Sequence, residues 1–190
     1  MTQRSHVARL LDEVDAIDER ITSLTAGLDD RQLNWQPPDG GWSIGQVFEH
    51  LVVANDSYLD RIWPLVREDN APRHTSVQAE WRPTLMGRML VGSFRSPRKL
   101  PAPRIYRPSA QPRARVVAEF RQRQHELREL LHAAADLNWR RIRTTSPVTP
   151  LIRLNLGDCF TIVVVHAQRH LGQIERLREG AGFPASTAGV

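Results

Sequence analysis

The sequence predicts an all-α protein, a four-helix bundle in which a long Pro- and Arg-rich crossover joins the second and third helices. Three observations carry this expectation. Apolar residues recur at three- and four-residue steps in four long stretches, capping and breaking residues bound those stretches, and the segment between the second and third is far longer than a turn. A chain of 190 residues can build one core from four such helices, each about 30 Å long for 20 residues. A single domain over 1–190 is expected, with the crossover inserted at about 69–110 and a loose tail at about 183–190.

In the first helix, about Ser5 to Leu28, Val7, Leu10, Leu11, Val14, Ile17, Ile21, Leu24 and Leu28 form the stripe. Pro37, Pro38, Asp39, Gly40 and Gly41 then reverse the chain. The second helix opens with Ser43 as N-cap and Gln46 three residues on, a capping box, with Trp42 placed to staple onto the first turn. Its stripe is Ile44, Val47, Phe48, Leu51, Tyr58 and Ile62, and Pro64 marks where regularity should fail. The crossover carries Arg73, Arg82, Arg88, Arg95, Arg98, Lys99, Arg104 and Arg107 against only Asp69 and Glu80. A short helix from Pro83 to Val91 fits within it, Pro83 at the first helical position and Gly92 past the end. The third long helix runs from about Pro112 to Ala135 on Val116, Val117, Phe120, Leu127, Leu130, Leu131 and Ala134, and the fourth from about Asn155 to Glu179, stopped by Gly180, Gly182 and Pro184. Leu33-Asn34-Trp35 after the first helix and Leu137-Asn138-Trp139 after the third, each preceding a helix that begins with Ile44-Gly45 or Leu156-Gly157, read as two related hairpins.

Composition excludes several classes. The N-terminus has no apolar signal core and the longest apolar run, Ile162 to Val165, is far too short to cross a bilayer, so a soluble cytoplasmic protein with no membrane partner is expected. One cysteine, Cys159, rules out an intramolecular disulfide and Cys-rich zinc modules; it reads as a small core filler, though a nearby helix start would lower its pKa. The net charge is +5, carried by arginines save for Lys99, but phosphate binding needs a patch rather than a total. The crossover arginines lack the aromatic interleaving of a single-strand binder, so a nucleic-acid partner is not expected, and they read first as a solvated surface.

The chemistry lies elsewhere. His166 and His170 are four residues apart in the fourth helix and leave one face a turn apart. Both lie at the edge of the stripe of Phe160, Val163, Val164, Ala167, Leu171 and Ile174, and His50 lies at the corresponding edge of the second helix. Packing the two helices side by side would gather three imidazoles, and three protein ligands leave an open position on a metal ion. Gln173 emerges beside the fourth-helix pair, and Asn55 falls in the apolar stripe of the second helix; both are candidates to support the ligands by hydrogen bonding, while Glu49 points away. His125 and His132 are two turns apart and read as exposed. His-Ala-Gln-Arg-His at 166–170 lacks the Glu that follows the first His in zinc proteases, which disfavours peptidase chemistry, and no residue is assigned as a catalytic acid or base.

The Gly-Trp-Ser-Ile-Gly-Gln-Val-Phe-Glu-His stretch at 41–50 and His-Ala-Gln-Arg-His-Leu-Gly-Gln-Ile at 166–174 resemble the two signature segments of the DinB-like superfamily, which includes bacillithiol- and mycothiol-dependent transferases. The resemblance implies an up-down-down-up bundle, often a homodimer, with a divalent metal on the side chains matching His50, His166 and His170. It also implies transfer of a low-molecular-weight thiol to an electrophilic small molecule, or a related metal-dependent isomerase or hydrolase reaction. Zn²⁺ or Ni²⁺ suits an all-His site. The Arg- and Ala-rich composition points to a high-GC bacterial host, hence to mycothiol over bacillithiol. The alternatives are a metal-stabilised bundle without catalysis, a metal-dependent hydrolase and, third, a nucleic-acid-binding module using the crossover.

Overall fold

In the computed structural model, which describes residues 2–74, 80–96, 98, 101–112 and 115–185, each apolar stripe becomes a helix with a recognisable cap. Helix α1 (Gln3–Thr25) starts at Thr2, whose hydroxyl accepts from the Ser5 amide. A short helix α2 (Asp30–Asn34), closed by a capping box between Asp29 and Gln32, lies between α1 and the turn at 37–41, a helix that the apolar periodicity does not reveal. Helix α3 (Ile44–Arg67) has the Ser43–Gln46 capping box. It runs through Pro64 instead of failing there: Pro64 is exposed, and Asp60, whose carbonyl loses a partner, faces water.

The crossover is more structured than an extended strap. Helix α4 (Leu85–Arg95) begins after Thr84, which caps the Gly87 amide, so Pro83 lies outside and Gly92 inside a helix displaced toward the C-terminus from the expected one. A 3-10 turn follows at Arg104–Tyr106. Helix α5 (Val116–Ala133) comes next; the expected start near Pro112 falls partly on 113 and 114, outside the described residues. Two short antiparallel strands, β1 (Arg143–Thr145) and β2 (Arg153–Asn155), form a hairpin that the helical periodicity does not reveal, and they lead into α6 (Leu156–Glu179), capped by Asn155 and Asp158.

Cross-helix pairs give the directions. His6 meets Thr161 and Arg20 meets Glu175, so α1 and α6 run parallel. Arg121 meets Asp18 while Arg128 meets Asp15, so α1 and α5 are antiparallel. Phe48 packs on Phe120 and Asp56 pairs with Arg123, so α3 and α5 are parallel. The result is up-down-down-up, and α3 against α6 is antiparallel. One cluster from Val7 to Ile174 forms the core, and no described helix is long and apolar enough to cross a membrane.

Buried polar groups lock the elements together. Gln3 is 2% exposed; its amide donates to the carbonyls of Ala135 and Leu137 and accepts from Trp139 N and His74. His6, also 2% exposed, accepts from Arg9 at Nδ1, donates from Nε2 to Thr161 Oγ1, and stacks on Trp81 at 4.2 Å between ring centroids. The two hairpins share a device: each capping box encloses a glycine over which incoming chain passes. A Cβ on Gly45 would lie 3.0 Å from Pro112, and one on Gly157 would lie 2.3 Å from Trp81 and 2.8 Å from Trp139. The Leu-Asn-Trp segments differ in depth, for Trp139 is wholly buried and Trp35 half-buried. Residues 183–185, expected to be loose, are held: Phe183 packs edge-on to Trp35, and the carbonyls of Pro184 and Ala185 accept from Gln32 and Arg31. The rest of the tail lies outside the described residues.

Two outcomes test this packing. Gly157→Ala should destabilise the protein by about 1–3 kcal/mol, because the added methyl meets two indoles rather than a flexible chain end; urea unfolding measures it. Burial, reinforced by Arg9, holds the pKa of His6 at about 4 against 6.5 in the unfolded chain, so between those values the unfolded state binds the extra proton. Stability of metal-stripped protein is therefore complete above about pH 6.5 and is lost as pH falls toward 4, with His6 alone contributing about 3 kcal/mol. An unfolding free energy that stayed flat across that interval would contradict a buried neutral His6.

Candidate metal centre

The antiparallel packing of α3 on α6 brings His50 opposite His166 and His170. Their ring centroids are 4.6–5.0 Å apart, and one nitrogen from each lies within 4.8 Å of the others. His50 is buried at 3% exposure, and the other two are half-buried. Two hydrogen bonds set the ring orientations. His50 Nδ1–H donates to the Tyr106 carbonyl at 2.7 Å, and His170 Nδ1–H donates to Gln173 Oε1 at 2.9 Å. Each bond leaves the Nε2 lone pair free to act as a ligand, in the manner of histidines that hold metals.

The donor set fits a divalent ion. His50 Nε2 and His166 Nε2 are 3.2 Å apart, against about 3.3 Å for two nitrogens at tetrahedral angles around zinc. Burial keeps all three imidazoles neutral, with their pKa values below 6.5; for His166 the neighbouring His170 and His50 add to burial, and His170 is held at about 3 by burial and by His50. Neutral imidazole is the ligating form. The three histidines also line a cleft of about 1730 Å³, large enough for a small molecule.

Gln173 lies where the helical wheel puts it, against a cluster histidine. Asn55 makes no such bond: it is 1% exposed, lines the same cleft, and neither amide atom has a hydrogen-bond partner among the described residues. Glu49 faces the crossover, where Ser109 N and Oγ donate to it. Cys159 is a core filler, its thiol pushed up to about 12 by burial, and the helix start does not prevail. His125 and His132 are exposed and do not belong to the cluster.

Several lining residues escaped the sequence reading. Trp42, expected as a helix staple, stands against the histidines: its ring lies 5.0 Å from His50 and stacks at 6.5 Å on His170. Phe94 of α4 packs 5.0 Å from His166. Tyr106 supplies the carbonyl for His50 from within the crossover, where an aromatic among prolines and arginines was the available signal. Arg95 and Arg107 line the cleft rather than merely facing water.

Comparison with known proteins agrees with this geometry. The sequence model described as the DinB superfamily matches residues 13–174. A protein of Geobacillus thermodenitrificans (strain NG80-2) named "Putative metal-dependent hydrolase" is 35% identical over 75 residues, 39% of this chain and 42% of that protein. One with the same description from Geobacillus kaustophilus (strain HTA426) is 34% identical over 65 residues, 34% of this chain and 36% of the relative. The matches thus span about two fifths of the curated relatives' length. No solved structure matches the chain.

Because Gln173 Oε1 holds the His170 ring through its Nδ1–H, Gln173→Ala should weaken zinc binding by about 10–100-fold with little change in fold. Competition with a fluorescent zinc chelator, alongside circular dichroism, measures both; unchanged affinity would remove Gln173 from the site.

Proposed function

The chain belongs to the DinB superfamily, and on that premise we propose that it is a divalent-metal-dependent enzyme for a small organic substrate, with His50, His166 and His170 as the metal ligands. The observation that carries this reading is the convergence of three neutral imidazoles, two of them oriented by Nδ1–H bonds, in the wall of a cleft. Three ligands suit zinc or nickel and leave a coordination position for a reactant. A divalent ion there supplies Lewis acidity, which makes water or a thiol acidic enough to act as a nucleophile near neutral pH.

The chain's own residues do the rest. The Tyr106 carbonyl and Gln173 hold the rings in place. Trp42 and Phe94 flank the cluster and limit its hydration. Among the described lining residues the one carboxylate is Asp39, which accepts from Gly41 N in the 37–41 turn, and no hydrogen bond among the described residues joins it to a cluster histidine. Activation of the nucleophile would then rest chiefly on the ion's lowering of its pKa.

With water as nucleophile the reaction is a hydrolysis, the reading favoured by the names of the two relatives. Transfer of a thiol such as mycothiol or bacillithiol to an electrophile is the second reading. It is favoured by the cleft, which at about 1730 Å³ exceeds the roughly 300–1,000 Å³ of a single-ligand pocket and can admit two organic molecules.

Elemental analysis of untagged protein after dialysis against Zn²⁺ or Ni²⁺ should find about one equivalent of metal. His50→Ala and His170→Ala should each lose most of it while remaining helical. A parent protein that stays empty in both metals would overturn the proposal. If it loads, turnover of an ester panel with and without added thiol separates the two reactions.

A further inference from the structure

Two features of the cleft are left unused by metal binding. The first is Asn55. A buried carboxamide without partners is rare in native proteins, because its lost hydration is not replaced. This one lies five residues beyond His50 on α3, about 7 Å along the axis, in a wall shared with Tyr58 and Ile162. Among the described residues no donor or acceptor meets either of its amide atoms. A polar group entering the cleft would.

The second is the charge on the opposite side of the imidazoles. Arg176 stands six residues past His170 on α6, about 9 Å along the axis. Arg95 and Arg107 reach the same cleft from the crossover. All three are exposed, and among the described residues none has a hydrogen-bonding or ionic partner for its guanidinium. Arg169 differs, since it donates to the carbonyls of Phe94, Ser96 and Arg98 and pins the end of α4. Asp39 offsets one positive charge of the lining at most. Uncompensated guanidinium groups around a concave site draw anions in and hold carboxylate or phosphate through paired N–H donors.

We infer that the substrate is an organic anion, its carboxylate or phosphate held among Arg95, Arg107 and Arg176 and a polar group farther along its length hydrogen-bonded to Asn55. The inference rests on the metal-site reading only for where, between those two ends, the reaction takes place.

The probes are acetohydroxamate, which has only a metal-chelating head, the monohydroxamate of suberic acid, its methyl ester, and a phosphonate of equal length. Calorimetry on zinc-loaded and metal-stripped protein reads their affinities at about 0.02 M and 0.5 M salt. The carboxylate should bind at least about tenfold more tightly than the ester at low salt, and this advantage should vanish at high salt and in Arg95→Gln/Arg107→Gln/Arg176→Gln. Acetohydroxamate, which lacks the distal anion, should lose much less affinity in that variant than the carboxylate does. The phosphonate-to-carboxylate ratio tells which anion the arginines prefer. Equal affinity of acid and ester in both protein forms would overturn the inference. A hydroxamate that binds loaded and stripped protein alike counts against the metal reading alone, because the acid-over-ester preference is read in each. For Asn55, Asn55→Leu should raise the melting temperature of the ligand-free protein; a lowered one would mean that the amide is already satisfied within the fold, and would remove it from the site.

Discussion

The parallel pairing of α3 and α5 is the constraint on which the other features depend. Two consecutive long helices that point the same way cannot be joined by a turn. The chain must return along the bundle, and α3, at 24 residues, is about 36 Å long. The segment 68–115 makes that journey with length to spare. The surplus becomes α4 and the 3-10 turn, both laid beside the groove between α3 and α6. Once this pair is parallel, α3 and α6 are antiparallel, and His50 comes level with His166 and His170.

That return path also completes the site. Three imidazoles gathered between two helices would still be free to rotate. The crossover gives His50 a carbonyl, from Tyr106, and packs Phe94 on His166. Burial then keeps the rings unprotonated, which suits ligation and also makes the site a liability in acid. The same coverage turns an open groove into a cleft, and it carries Arg95 and Arg107 to that cleft's lining. Anchoring is tight where it needs to be: Asp158 accepts from the Thr84 amide and hydroxyl, and a Cβ on Gly87 would lie 2.1 Å from it. One carboxylate thus caps α6 and fastens the start of α4. Burial raises its pKa, and hydrogen bonds from the Asn155 amide and from the Thr84 hydroxyl and amide, together with the charge of Arg143, oppose that rise.

The four long helices were legible in the sequence because their signals are local. Apolar spacing and capping residues act over three or four positions, so Ser43–Gln46 and Asn155–Asp158 mark helix starts without reference to the rest of the chain. The edge positions of His50, His166 and His170 follow from the same count, as does the approach of Gln173 to His170. The departures have local causes as well: Pro64 is tolerated because it faces water near a helix end, and Thr84 outcompetes Pro83 as the start of α4.

Sequence by itself therefore determined the helical class, the core stripes and three histidines on compatible edges, since each is a property of a few neighbouring residues. Only the tertiary structure decided that Trp42 faces the imidazoles, that Tyr106 lends its carbonyl, that Asn55 has no partner among the described residues and that arginines of the crossover border the cleft. These facts depend on contacts between residues as far apart as 42 and 170 or 50 and 106. No periodic pattern encodes such contacts. They arise from where a long connection settles on a packed bundle, which is fixed by the balance of burial and hydrogen bonding over the whole chain.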